Sequence, residues 1–283
     1  MGQTRSIIIG LALVLGQTAT AYAADLGLLP PPPLDTPAPC VGCSGPWYFR
    51  GFVGGANPMV GDISSELFQF NDFQVFHKDI KSSPFVGGGI GYEFNSWLRF
   101  DVTGEYRGDA TFFGQDRYPG SDGFNHVDVG PGFPGNFNPG TNEYTADIQS
   151  WVGLANAYIN LGTYHCITPY VGGGVGFATI SVNGLKDVNV PNESVFYAAD
   201  HTQTNFAWGV YGGLSYDVTP GLAIDLSYRY TDLGDASSGR VTAFDNSSSY
   251  KSLNIDNITS NDVMLGVRWK LGSQQAPMPA SFK

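Results

Sequence analysis

Four segments alternate apolar and polar residues with a period of two, the spacing of a strand that presents one apolar face. In 98–107, Leu98, Phe100, Val102 and Tyr106 share one parity, and Arg99, Asp101, Thr103, Glu105 and Arg107 share the other. In 222–230, Leu222, Ile224, Leu226, Tyr228 and Tyr230 alternate with Ala223, Asp225, Ser227 and Arg229. In 262–271, Val263, Leu265, Val267, Trp269 and Leu271 alternate with Asp262, Met264, Gly266, Arg268 and Lys270. In 204–218, Phe206, Trp208, Val210, Leu214, Tyr216 and Val218 alternate with small or polar residues. Weaker segments at 47–57, 84–94, 144–161 and 168–182 also read as strands. Within 144–161, Val152 and Leu154 lead on one parity and Ile159 and Leu161 on the other, which predicts a bulge. Helical spacing is absent, because glycines interrupt every apolar segment.

The links between these eight strands alternate in length. Asn95-Ser96, Gly162 to Ile167 and Thr219-Pro220-Gly221 are short, whereas 58–83, 108–143, 183–203 and 235–260 are long. Short turns at one end and long loops at the other is the pattern of an outer-membrane barrel. The expected fold is all-β: an eight-stranded, antiparallel, up-and-down transmembrane β-barrel over 47–271, with four long extracellular loops and short periplasmic turns.

Alternation does not say which parity faces inward. A soluble, lipocalin-like ligand-binding barrel also has eight strands and would turn the apolar parity to its interior. Composition separates the two. Charged residues make up 14% of the chain, against about 25% in ordinary soluble proteins, too few for a water-facing exterior. The apolar parity is rich in aromatics near strand ends, with Trp47, Trp97, Tyr106, Tyr158, Tyr216, Tyr230 and Trp269 as an expected interfacial girdle. The other parity is small and polar with scattered charges, which suits a narrow lumen. The expected lumen charges are Arg50, Glu93, Arg99, Asp101, Glu105, Arg107, Asp147, Asp217, Asp225, Arg229, Arg268 and Lys270. Both signs occur in similar numbers, and buried charges must pair. Eight strands enclose a space that side chains just fill. A salt-bridged plug is therefore expected, with a small ion-conducting, porin-like channel as the alternative.

The ends read differently. Arg5, the apolar run Ile7 to Leu15 and Ala21-Tyr22-Ala23 make 1–23 a signal peptide with an A-x-A cleavage site. Residues 24–46 hold Pro30 to Pro33 in a row and read as a proline-rich periplasmic leader. Residues 272–283 are expected to be a periplasmic tail. Export and the absence of any later long apolar run leave a Gram-negative outer-membrane barrel as the expected location.

The formal net charge of −11 includes no basic stripe, so no nucleic-acid partner is expected. Most of the negative charge falls in the long segments. Such loops can hold divalent cations that bridge lipopolysaccharide, or meet host or surface ligands. Cys40, Cys43 and Cys166 are too few for a disulfide scaffold or a zinc site. Cys166 falls in a short turn on the leader's side, so a leader-to-turn bridge and a Cys40–Cys43 bridge both stay open. The histidines, His77, His126, His165 and His201, stand beside no hydroxyl or acid in a catalytic pattern. Neither an enzyme nor a cofactor is expected.

The run Phe85-Val-Gly-Gly-Gly-Ile-Gly-Tyr92 recurs as Tyr170-Val-Gly-Gly-Gly-Val-Gly-Phe177, and more loosely as Val210-Tyr-Gly-Gly-Leu-Ser-Tyr216. A phosphate-binding loop must open a helix. Here the glycines lie inside strands, where they are expected to leave room for the long charged side chains opposite. With Trp47-Tyr48-Phe49-Arg50-Gly51, Asp147-Ile-Gln-Ser-Trp151, Leu161-Gly-Thr-Tyr164 and Thr168-Pro-Tyr170, the chain resembles the alphaproteobacterial outer-membrane surface-antigen family, small barrels of the OmpA/opacity type. The resemblance covers roughly 47–271. It implies a monomeric, structural, surface-exposed protein that supports envelope integrity and surface interactions. Its implied partners are outer-membrane lipids, lipopolysaccharide and the barrel assembly machinery.

Overall fold

The computed structural model describes residues 45–65, 74–118, 140–191 and 193–272. The expected signal peptide, Cys40, Cys43, His126 and nearly all of the leader and tail lie outside these residues. Twelve strands follow in chain order: β1 (Trp47–Ser64), β2 (Gln74–Ile80), β3 (Ser83–Glu93), β4 (Leu98–Tyr118), β5 (Gly140–Asn160), β6 (Ile167–Asn189), β7 (Val195–Ala198), β8 (His201–Thr219), β9 (Leu222–Ser237), β10 (Val241–Ala243), β11 (Ser249–Tyr250) and β12 (Asn254–Lys270).

Eight of them close a ring. Going round, β1 pairs β3, then β4, β5, β6, β8, β9 and β12, which returns to β1, and every pairing is antiparallel. Closure leaves no free edge within the ring. The other four strands extend its wall. β2 continues β3 along β4, β7 continues β8 along β6, and β10 joins β7 and β11. One turn shows how the short end is made: the Asn95 side-chain oxygen accepts from the Trp97 and Leu98 amides at 2.9 and 2.8 Å, satisfying the tight link from β3 to β4.

The long segments differ from expectation, because much of them is strand. A membrane crossing needs about 9–11 strand residues, whereas β4, β5 and β6 have 21, 21 and 23. The ring therefore rises well past the bilayer on the side away from the short turns.

The two heights have opposite polarity. Low in the barrel, Phe49, Val53, Val86, Val102, Trp151, Leu226 and Leu265 point outward while Arg50, Arg99, Asp101, Glu105 and Arg229 are buried inside. Higher up, Ile63, Phe112, Ile180, Leu185, Leu233, Leu253 and Ile255 fill the interior, and Lys78, Arg117, Asp147 and Lys186 turn outward. The lower belt suits lipid and the upper wall suits water. The lipocalin-like alternative is thus overturned for the membrane-spanning part, though an apolar interior does occupy the extracellular part.

Bulges sit near this change of polarity. The β4–β5 register shifts between Arg107 and Ala110, β12 shifts between Ile255 and Thr259, and Gly184 and Gly234 take φ of +59° and +79°. An extra residue turns the following side chains to the other face. The upper parts of β4, β6, β9 and β12 therefore do not continue the alternation of their lower parts. The bulge expected where the lead passes from Val152 and Leu154 to Ile159 and Leu161 is absent: Val152 and Leu154 face the lumen and Ile159 faces outward on a single alternation. The β5–β6 register does shift between Thr145 and Asp147, but the extra residue is on β6, between Asn183 and Lys186 beside Gly184.

Candidate functional site: the charged lumen

The lumen charges form two layers. In the inner one, Glu105 and Arg107 on β4, Arg229 on β9 and Asp262 on β12 meet across the barrel. Arg229 donates to Glu105 Oε2 and Oε1 at 2.8 and 2.7 Å and through Nε to Asp262 at 2.9 Å. Arg107 donates to Glu105 at 2.9 Å and to Asp262 at 2.8 Å. Asp262 also accepts from Ser260 and Thr231. Two cations and two anions close on each other, all buried.

The periplasmic layer lies beneath. Arg50 donates to Tyr158 Oη at 2.7 Å and to Asp101 at 3.3 Å, and Asn156 donates to Asp101 at 2.7 Å. Arg268 bridges Asp225, Glu93 and Ser215 at 2.9, 2.9 and 2.6 Å, and Lys270 pairs with Glu93 at 2.7 Å. Asp217 is half-buried on the same strand face as Ser215. Arg99 stands in this layer between two tyrosine rings.

Two expectations need correction. Asp147 is exposed on the outer wall, because β5 keeps one alternation and places Asp147 on the outward parity with Trp151. Tyr158, expected in the outer girdle, is fully buried in the lumen. Other lumen residues escaped the sequence reading. Asp262 shared the inward parity with Arg268, a signal that was there to use. Tyr48, Tyr170 and Tyr211, all buried in the lumen, carry no sequence signal of their own, since ring chemistry suits either face of a barrel wall.

The inward glycines have a more specific role than leaving room for charges. Tyr48 lies in register with Gly91, Phe52 with Gly87, Tyr158 with Gly172 and Tyr170 with Gly213. Each ring lies over its partner: a Cβ on Gly213 would come 2.6 Å from Tyr170 Cζ, and one on Gly172 would come 2.5 Å from Tyr158 Cδ1. The repeated Val-Gly-Gly-Gly segments are seats for aromatic rings, and the rings in turn hold arginines. Arg107 and Arg229 both lie over the Phe85 ring, at 5.5 and 5.3 Å.

Above the inner layer is a cavity of about 30 Å³ lined by Ala56, Ile80, Ala110, Ile148, Leu233 and Ile258, with Arg107 below. It has room for about two waters. Higher still, beyond the apolar belt, is a buried acidic cluster. Asp116 accepts from Asn142 at 3.0 Å and from the Tyr144 hydroxyl, and Asp187 accepts from the Tyr250 hydroxyl at 2.7 Å. Burial pushes Asp187 up to about 7, with the nearby Asp116 charge adding to it, and burial pushes Asp116 up to about 6.

His201 Nδ1 lies 3.2 Å from Ser237 Oγ, but that hydroxyl gives its proton to Gln203 at 3.0 Å. A nucleophile needs its base oriented by a third group, and the Ser237 proton is aimed away from His201. His77 stacks edge-on to Phe113, and His165 is in the β5–β6 turn with φ +50°. Cys166, beside it, is disulfide-bonded; the sequence has two other cysteines, Cys40 and Cys43.

Comparison with known proteins agrees with this architecture. The family model described as an outer membrane protein beta-barrel domain matches residues 54–270. An uncharacterised protein of Brucella suis is 28% identical over 247 residues, covering 80% of each chain. The outer membrane protein PagN of Salmonella typhimurium is 29% identical over 191 residues, 65% of this chain and 72% of PagN. Among solved structures, OprG of Pseudomonas aeruginosa aligns with a TM-score of 0.49 at 14% identity, covering 81% of this chain and 98% of OprG. Neisserial surface protein A aligns with a TM-score of 0.40 at 20% identity, covering 80% and 97%.

Proposed function

The chain belongs to the outer membrane protein β-barrel family and lies in the Gram-negative outer membrane, and from that premise we propose that it is a sealed, structural, surface-exposed envelope protein rather than a pore or an enzyme. The observation that carries this reading is the inner layer of Glu105, Arg107, Arg229 and Asp262. Its four side chains come from three strands and satisfy one another across the lumen. Opening a path would separate buried, hydrogen-bonded charges, each break costing about 3–5 kcal/mol. Four linked pairs must part together, so the open state is rarely populated.

The tall wall supports the surface role. It raises a polar rim of paired strand above the lipid, with Asp147 and Asp235 exposed on it. There the protein would meet lipopolysaccharide through bridging divalent cations, or surface ligands. In this reading the chain acts as a monomer and is inserted by the barrel assembly machinery, with residues 1–23 removed, 24–46 as a periplasmic leader and 272–283 as a periplasmic tail. The small channel is the competing reading.

Purified protein in planar bilayers tests the choice. Conductance at the level of the empty bilayer is expected, and large, stable single-channel steps would establish the channel instead. Protease treatment of intact cells tests the exposure: cleavage is expected within the long segments and not at the short turns.

A further inference from the structure

Cys166 is disulfide-bonded, and the other cysteines of the chain are Cys40 and Cys43. The bond therefore joins the foot of the barrel to the segment that precedes β1. Both ends of that connection are fixed. The Cys166 carbonyl accepts from the Asp217 amide on β8 at 2.9 Å, and beside it Tyr164 and Ile167 exchange amide hydrogen bonds at 2.8 and 2.9 Å. At the other end, the Pro46 carbonyl accepts from the Glu93 amide on β3 at 2.7 Å, and the Trp47 carbonyl accepts from the Leu271 amide at 2.8 Å. A Cβ on Gly45 would collide with the Leu271 carbonyl oxygen, so the backbone of Gly45 lies against the foot of β12.

These two ends face each other across the ring. Going round it, β6 is four strands from β1 in either direction. Eight strands about 4.8 Å apart and tilted by about 40° make a ring about 16 Å across. A chain extends by at most about 3.5 Å per residue, and a disulfide joins Cα atoms at most about 7 Å apart. From Gly45, Cys43 is two residues away and brings a partner Cα within about 14 Å, short of the far wall. Cys40 is five residues away and reaches about 24 Å, enough to cross.

The periplasmic ionic layer lies between the two ends. Lys270 and Glu93 keep about a fifth of their side chains exposed there, and Asp217 is half-buried. Val41-Gly42-Cys43-Ser44 is small and carries no charge. Such a segment passes over the layer without competing for its ion pairs.

We propose that a Cys40–Cys166 disulfide straps residues 41–44 across the periplasmic mouth of the barrel, bracing β1 against β6 over the ionic layer and leaving Cys43 as a thiol. The brace complements the one inside. Arg229 and Glu105 tie β9 to β4, and that diameter lies two strands round from the line between β1 and β6. A ring held across two perpendicular diameters resists flattening in either direction.

The test uses the full chain, exported from cells and purified in detergent without reductant. Thiols are counted with a maleimide after denaturation, and disulfide peptides are mapped by mass. The wild type is expected to show one thiol and a Cys40–Cys166 peptide, Cys43→Ser no thiol, and Cys40→Ser two. A disulfide-linked dimer, three thiols in the wild type, or loss of both thiols in Cys40→Ser, which would mean that Cys43 reaches Cys166, would each overturn the assignment. Reductant should lower the midpoint of the heat-modifiable gel shift by several degrees in the wild type and in Cys43→Ser but not in Cys166→Ser; an unmoved wild-type midpoint would refute the brace. An amine reagent should modify Lys270 severalfold more slowly in the wild type than in Cys166→Ser, and equal rates would refute a strap over the ionic layer.

Discussion

Arg229 and Glu105 stand 124 residues apart in sequence, and two parallel hydrogen bonds of 2.8 and 2.7 Å join them across the lumen. The pair links β9 to β4, which lie on opposite sides of the ring and share no backbone ladder. A fork-to-fork contact of this kind is strong and directional. It ties the wall across its diameter, so the barrel cross-section depends on it. Asp262 and Arg107 complete the square.

Asp262 is the member to remove first. Asp262→Ala leaves Arg107 and Arg229 buried with one carboxylate between them. The expected loss is about 3–5 kcal/mol, the usual cost of breaking a buried pair from one side. Urea unfolding followed by tryptophan fluorescence in lipid or detergent would read it, and a change below about 1 kcal/mol would mean that the layer is hydrated.

The outward belt makes an independent prediction. Val102 is 61% exposed on the wall of β4, which in the membrane means exposed to lipid tails. Val102→Arg should destabilise the folded barrel by about 2–4 kcal/mol if Val102 lies near the bilayer midplane. Lys186→Arg on the upper wall of β6 should change stability by less than about 0.5 kcal/mol. Equal effects at the two positions would place the belt wrongly.

The glycine seats can be tested with a methyl group. Gly213→Ala would bring Cβ within 2.6 Å of Tyr170 Cζ and 2.7 Å of the Leu226 carbonyl oxygen. Overpacking of this kind costs about 1–3 kcal/mol. Gly51→Ala, where a Cβ meets nothing within 4 Å, is the matched control. Comparing the thermal midpoints of the heat-modifiable gel shift decides the matter: Gly213→Ala should fall and Gly51→Ala should not.

Acidity acts on the part of the barrel above the lipid. Burial raises Asp187 to about 7 and Asp116 to about 6, against about 3.9 for an aspartate in an unfolded chain. Between roughly pH 4 and 7 the folded state therefore binds more protons than the unfolded one, and stability falls as pH rises through this window. Tyr250 on β11, Tyr144 on β5 and Asp116 on β4 surround Asp187, and the extracellular hairpin of β10 and β11 is anchored there. Hydrogen-exchange protection in 241–250 should be greater at pH 5 than at pH 8, after correction for intrinsic exchange. Asp187→Asn should flatten the difference.

The alternating parities, the number of membrane-crossing strands and the short turns were open to the sequence, because lipid imposes one simple rule on every crossing. An outward side chain must be apolar, and an even ring must close. The low charge content settled the rest of that reading, since Arg99, Asp101, Glu105 and Arg107 on β4 had nowhere to go but the inside. What stayed hidden depends on which residues face each other. Asp262 joining Arg107, Tyr158 turning inward and Gly213 seating Tyr170 are consequences of strand register, and register is a property of the closed ring rather than of any one strand. The upper wall escaped for a related reason. There water replaces lipid, the polarity inverts, and single-residue bulges at Gly234 and near Asp109 shift the phase of the pattern. The eight crossings follow from local chemistry; the plug, the ring seats and the tall extracellular wall follow only from closure.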